Sequence, residues 1–498
     1  MPLNLIVVVL DTLRYDAVFG DLARTPNLDR FAERAVVFDN AWGEGLPTVP
    51  FRRALYTGMR AYPWQHQIGE RGLTPNLPGW HALSEAQTTL AEHLAARGYA
   101  TQLIADVYHL FKPTMNFTRG FVSWDFIRGQ ESDTYELAAP SLATGDKIDP
   151  ARLGPASYLY QQRHRRGHDD YFAAKVFDHA SNFVRAVRGA EPYFLCVESF
   201  SPHEFWDPPL DYADAYYPAP GRANYIVPQM LNTISDGLEA ETQKLRRATI
   251  SGALATTSDH EPEPEDLART RALYQGYTTF TDERFGRFLD TLDETDAWRD
   301  TIVVVLSDHG TELWDKGRFG KSPDRLHPYN LQMNLMIHHP DLAGRSRRVD
   351  AFVQNHDLVP TLLPLLDFPS PRLDGEDIWP LAVNDATPTR DHVVSGWTHY
   401  AAVRDREWNL VVDTYDPERA LHLYNVQIDP AENDDVAAAH PDVVARQLRR
   451  LETAIGMPLP ATYQHRHLTD ARFTVGGLRR TRRQQQSVGD RWVASNQV

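Results

Sequence analysis

Two unbroken apolar runs stand out along the chain. Leu5-Ile-Val-Val-Val-Leu10 ends at Asp11, and Thr301-Ile-Val-Val-Val-Leu306 ends at Ser307-Asp308-His309-Gly310. β-Branched residues without polar alternation suit strands covered on both faces. A third run, Pro192 to Val197, leads into Glu198-Ser-Phe-Ser-Pro-His203. Helical spacing separates these runs. It covers Thr25 to Arg34, Thr89 to Gly98 with a closing glycine, and a long amphipathic stretch over 265–293. Another strand is expected from Ala100 to Ile104. This alternation predicts an α/β protein with a doubly wound, mostly parallel central sheet flanked by helices. Each apolar run ends in reactive side chains, at the strand ends where open α/β sheets place their ligands.

The pattern changes after Pro380. Short strands are expected at 393–396, 401–404 and 408–413, then a helix near 441–455, which together suit a small C-terminal α+β subdomain. The expected organisation is an α/β domain over 1–385, a subdomain over 386–460 and a tail over 461–498. Residues 205–265, rich in Pro, Tyr, Asp and Glu, look like an insertion. The tail carries Arg479, Arg480, Arg482 and Arg483 beside three glutamines and is expected to be a solvated arm or a contact in a homo-oligomer.

Composition narrows the partners. Hydrophobic residues make up 42% of the chain and charged ones 24%, as in ordinary folded enzymes. A net charge of −16 repels phosphate backbones and argues against nucleic acid, but not against a small anionic ester held by local cations. Cys196 is the sole cysteine, so an internal disulfide and a thiolate metal cluster are both excluded; its apolar neighbours suit a core residue. The opening MPLNLIVVVLDTLR is too short in its apolar part to span a membrane and lacks a basic start and cleavage site. A cytoplasmic protein without membrane attachment is expected.

Asp11, Asp308 and His309, at adjacent strand ends, could together hold one divalent cation, with Zn or Mn favoured by the mixed oxygen and nitrogen set and Mg or Ca as alternatives. Taken separately they also suit an N-cap and a turn. In Gly45-Leu-Pro-Thr48-Val-Pro50-Phe-Arg52, Pro50 suits the first turn of a helix running to about Gly58. Thr48 would then lie at the helix's positive end with Arg52 one turn along, a setting for an anionic phosphoryl or sulfuryl group. The alternative is that Thr48 is only an N-cap.

Thr48-x-Pro50-x-Arg52-x-x-Leu55-x-Thr57-Gly58 resembles the sulfatase signature, Cys or Ser-x-Pro-x-Arg followed by Leu and Thr-Gly. VVVLDTLRYD, TPNLDRFAERAVVFDNAW, TLAEHLAARGYAT, SPHEFWDPP, VVVLSDHGTELWDKGRFGK and LHLYNVQIDPAENDDVA follow in the order of that family, so the likeness runs over roughly residues 3–455. The resemblance implies an alkaline-phosphatase-like fold. It also implies Asp11, Asp308, His309 and Thr48 as metal ligands, Thr48 as nucleophile and Arg52 as the arginine that steadies it. His203 becomes the histidine at the leaving group and Lys321 the lysine near the transferred oxyanion.

Three positions depart from the family. Thr12 stands where sulfatases have a second aspartate, as in phosphonate monoester hydrolases that also lack it. The expected Lys-x-His element is replaced by Asp106-Val-Tyr108-His109-Leu-Phe-Lys112. Thr48 cannot become formylglycine, which needs a Cys or Ser side chain with two β-hydrogens, so its ester must be opened by water. Threonine nucleophiles of this kind resemble phosphoethanolamine and glycerol-phosphate transferases. The expected activity is hydrolysis of phosphate esters, phosphodiesters or phosphonate monoesters first, through a phosphothreonine. The alternatives are a sulfate-ester hydrolase using unmodified Thr48 and a catalytically inactive anion-binding protein.

Overall fold

Asn4–Leu10, the first strand (β1), has nearly every side chain buried, as its unbroken apolar run requires. The structure is a computed structural model. It describes residues 2–64, 78–112, 115–130, 133, 135, 162, 164–189, 192–218, 264–342, 346–383, 386–418 and 420–461. Most of the expected insertion, and the arginine-rich tail beyond Ala461, lie outside these residues.

The further strands are β2 (Val36–Trp42), β3 (Gly45–Leu46), β4 (Ala100–Ala105), β5 (Ser123–Phe126), β6 (Tyr193–Ser199), β7 (Thr301–Ser307), β8 (Glu312–Leu313), β9 (Phe319–Gly320), β10 (Leu335–His338) and β11 (Arg347–Gln354). An eight-stranded sheet has the order β11-β2-β10-β7-β1-β6-β4-β5 and is parallel except at β10, which runs against both neighbours. This is the doubly wound sheet the sequence predicts.

Alternate side chains of the same strands feed two cores. Leu5, Val7 and Val9 meet helices Thr48–Thr57, Leu90–Ala95 and Leu358–Leu365 on one face, whereas Ile6, Val8 and Leu10 meet Phe172–Val187 and Pro264–Glu294 on the other. Cys196 is a buried member of the first core, as expected, with the Tyr56 hydroxyl 3.6 Å from its sulfur.

Four more strands, β12 (His392–Trp397), β13 (Tyr400–Asp405), β14 (Trp408–Asp413) and β15 (Leu421–Asn425), form an antiparallel meander covered by helix Pro441–Ile455. One feature was not expected from the sequence. Gly45–Leu46 pairs in parallel with Gly396–Trp397, so the smaller sheet takes its fifth strand from the segment just before Thr48. No bulky side chain fits at Gly396, where an added Cβ would lie 2.2 Å from the Tyr62 ring. Among the described residues, no helix is long and apolar enough to cross a membrane.

Candidate active site

The register of the central strands assembles the site. Leu10 is level with Ser199 on one side and with Ser307 on the other, so the residues that follow emerge at one edge of the sheet. Asp11 leaves β1 with its amide bonded to the Ser199 carbonyl, and Asp308-His309 leaves β7. Ligand atoms of Asp11, Asp308 and His309 lie within 4.8 Å of one another, all fully buried.

Each of these side chains is oriented by a local bond. Asp308 Oδ1 accepts from the amides of Thr12 (2.9 Å) and His309 (2.8 Å), and the Thr12 hydroxyl donates to Asp11 Oδ1 at 2.8 Å. Thr12 itself holds a left-handed backbone with φ of 62°, a conformation uncommon outside glycine. His309 Nδ1 bonds the Gly310 carbonyl at 3.0 Å, so Nδ1 carries the hydrogen and Nε2 presents its lone pair. Burial holds that imidazole down to about 4 despite the neighbouring Asp308, so it is neutral near pH 7.

The acid pair is electrostatically unequal. Burial, then the charge of Asp308, pushes the Asp11 carboxyl well up, against the pull of Arg52. Burial also acts on Asp308, but the charges of His309 and Arg52, a side-chain bond with Asp11 and the Thr12 amide overcome it and hold that carboxyl below the usual range. Asp11 Oδ2 and His309 Nε2 are buried with no hydrogen-bond partner among the described residues. Two acids and a neutral imidazole whose ligand atoms lie within 4.8 Å of one another fit a divalent cation.

Thr48 is the first residue of helix Thr48–Thr57, which ends at Gly58 with a φ of 69°. The cap position belongs to Pro47, and no side chain caps this end, so Thr48 is not the N-cap. It is 2% exposed, and its carbonyl accepts from Arg52 Nη1 at 3.1 Å. That same Nη1 lies 2.7 Å from Asp308 Oδ2 and 3.2 Å from Asp11 Oδ2, so one guanidinium group links the helix start to the acid pair.

Arg52 gives Nη1 to the acids and Nε to Glu198 at 2.8 Å, and its Nη2 has no hydrogen-bond partner among the described residues. Glu198 was not expected as a site residue. It lies level with Val9 on β6, fully buried, and also accepts from the Tyr56 hydroxyl at 2.9 Å. Its position at the end of the third apolar run was the available signal.

Lys321 and His203 come together on a second unexpected acid. Lys321 follows the β8–β9 hairpin, and its Nζ donates to Thr12 Oγ1 at 3.1 Å and to Glu204 Oε2 at 2.6 Å. His203 bonds the Glu204 carbonyl through Nδ1 at 2.6 Å, and the same nitrogen is 3.2 Å from Glu204 Oε2. The His203 ring stacks on Phe200 at 4.0 Å. His109, in the segment replacing the expected Lys-x-His, reaches the same wall with its ring 6.1 Å from Phe200 and edge-on to Trp80. Lys112 lies over the Tyr108 ring at 4.6 Å.

Residues 3–368 match the family described as Sulfatase. An arylsulfatase of Clostridium perfringens is 24% identical over 422 residues, covering 80% of this chain and 81% of its own. The multifunctional alkaline phosphatase superfamily protein PehA of Trinickia caryophylli is 24% identical over 426 residues, 76% of each chain. Among solved structures, the phosphonate monoester hydrolase of Agrobacterium radiobacter superposes with a TM-score of 0.65 at 21% identity, covering 92% of this chain and 95% of that one. A protein solved in complex with its substrate D-glucosamine-2-N,6-O-disulfate also gives 0.65, at 17% identity over 92% and 98% of the two chains. The family match and the fold define a hydrolase of the alkaline phosphatase superfamily acting on sulfate or phosphate esters. Within that class, the chain belongs to the sulfatase family.

Proposed function

We propose that this protein cleaves phosphodiesters or phosphonate monoesters by in-line displacement, with Thr48 as nucleophile. The observation that carries the reading is the convergence of Asp11, Asp308 and His309 within 4.8 Å, tied through Arg52 to the start of the Thr48 helix. Those three residues would hold a divalent cation, Zn or Mn by preference, which would supply Lewis-acid stabilisation of developing charge and ease ionisation of a nearby hydroxyl.

The chain's own groups do the rest. Thr48 Oγ forms a bond to phosphorus as the bond to the leaving oxygen breaks. Arg52 fixes the carboxylates and offers Nη2 to an oxyanion, while Lys321 adds a second donor. His203, its Nδ1 on the Glu204 carbonyl, delivers a proton from Nε2 to the departing alkoxide. Water, giving a proton to the now neutral His203 Nε2, then attacks phosphorus as its bond to Thr48 Oγ breaks, and that oxygen regains from solvent the proton it released on attack. Threonine at position 48 favours phosphate, because its ester has no route to collapse to an aldehyde.

A sulfate ester is the second reading, favoured by the arylsulfatase and sulfated-sugar relatives. Turnover of an aryl sulfate compared with an aryl phosphodiester by the metal-loaded protein separates the two. The nucleophile is tested by quenching turnover of a slow aryl phosphodiester and analysing the Thr48 peptide by mass spectrometry. A phosphoryl adduct on Thr48, absent from Thr48→Ala, is expected. Full turnover by Thr48→Ala would end the proposal, and with it any role for residue 48 beyond packing.

A further inference from the structure

Lys321 is not a bare cation. Its Nζ is 2.6 Å from Glu204 Oε2, and that oxygen is 3.2 Å from His203 Nδ1, so one carboxylate faces both groups assigned to the oxyanion and the leaving group. The other oxygen, Oε1, is 3.4 Å from the Thr311 hydroxyl. Glu204 is 5% exposed, and Lys321 also reaches Thr12, whose hydroxyl touches Asp11. The carboxylate is therefore built into the site wall rather than solvated beside it.

We propose that Glu204 is a positioning and specificity-determining residue that locks Lys321 and His203 in place and, by cancelling one positive charge, favours esters bearing one negative charge over esters bearing two. The inference rests on the phosphate-ester reading above. A phosphodiester, a phosphonate monoester and a sulfate monoester each carry one negative charge, whereas a phosphate monoester carries two above its second ionisation near pH ~6. A fixed carboxylate against the lysine repels the dianion more than the monoanion, because like-charge juxtaposition scales with the charge on the ligand. Burial pushes the Glu204 carboxyl up, but Lys321 and His203 draw it down to about 2, so it is charged throughout the range in which substrates differ.

The test compares para-nitrophenyl phosphate with methyl para-nitrophenyl phosphate at about pH 8, where the first is a dianion. The shared leaving group cancels effects on its protonation. In Glu204→Gln, the ratio of kcat/KM for dianion over monoanion should rise roughly tenfold or more. In Lys321→Met, which leaves the carboxylate without its ammonium, the ratio should fall by a similar factor. The double variant Lys321→Met/Glu204→Gln should return near wild type. A merely structural role changes both substrates alike, and an unchanged ratio in both single variants overturns the proposal.

Calorimetry on the metal-loaded protein reads the same preference without turnover. Inorganic phosphate should bind more tightly to Glu204→Gln and dimethyl phosphate should not; equal changes overturn the inference. If wild type cleaves neither ester, the phosphate-ester reading fails and the binding measurement still decides the role of Glu204.

Discussion

Arg52→Leu probes how three buried carboxylates are tolerated together. The guanidinium lies 2.7 Å from Asp308, 2.8 Å from Glu198 and 3.2 Å from Asp11, and all four side chains are fully buried. Leucine fills similar space but leaves Glu198 and the acid pair without their cation. Breaking a buried charge network by removing one partner costs about 3–5 kcal/mol, because the desolvated charges lose compensation. The metal-free variant should lose about that much in urea unfolding.

Saturation with Zn or Mn should narrow the deficit, since removing one cation beside Asp11 and Asp308 tightens the binding of another. Each tenfold gain in affinity returns about 1.4 kcal/mol. Glu198 stays unpaired in either state, so a residual deficit persists. Unfolding curves for both proteins, with chelator and with saturating metal, measure both quantities. A metal-free loss below about 1 kcal/mol, or a gap that widens with metal, would refute the reasoning.

Two further outcomes follow from buried acids. Asp11 is pushed up by burial and by Asp308, so metal binding at about pH 5, above the ordinary carboxylate range, should release protons. Calorimetry in buffers of different ionisation enthalpy should find this release reduced to near zero in Asp11→Asn, which also binds more weakly. Glu44, fully buried on the amides of Ala61 and Tyr62 and beside Arg60, is pushed up by burial to about 7 from its ordinary 4.5. Its folded form keeps a proton that the unfolded chain loses, so its contribution is complete below pH 4.5 and is lost as pH rises through about 7. The difference amounts to roughly 3 kcal/mol. Glu44→Gln should flatten stability against pH over that window in urea titrations, and an unchanged slope would contradict the assignment.

Much of this architecture is written in local order along the chain. The apolar runs before Asp11 and Asp308 predict buried parallel strands because nothing in them alternates, and β1 and β7 pair in register. The helices over 265–293 and 441–455 follow from their own periodicity and appear as Pro264–Glu294 and Pro441–Ile455. Motif order identified the family, and Thr48-x-Pro50-x-Arg52 located the helix start, since a proline near the first turn and a glycine past the last are local signals.

What needed three dimensions was the choice of partners for charged groups. Arg52 could be read as an anion fork, but which oxygens it meets depends on Glu198, 146 residues away, which lies level with Val9 only because β6 pairs with β1. Glu204 beside Lys321 is a contact across 117 residues, and β3 joins the smaller sheet at Gly396, far along the chain. Periodicity and turn chemistry act over a few neighbouring residues and are legible in the sequence. Coulomb attraction and hydrogen bonding act between whichever groups folding brings within a few ångströms, so the site's charge balance is a property of the tertiary structure alone.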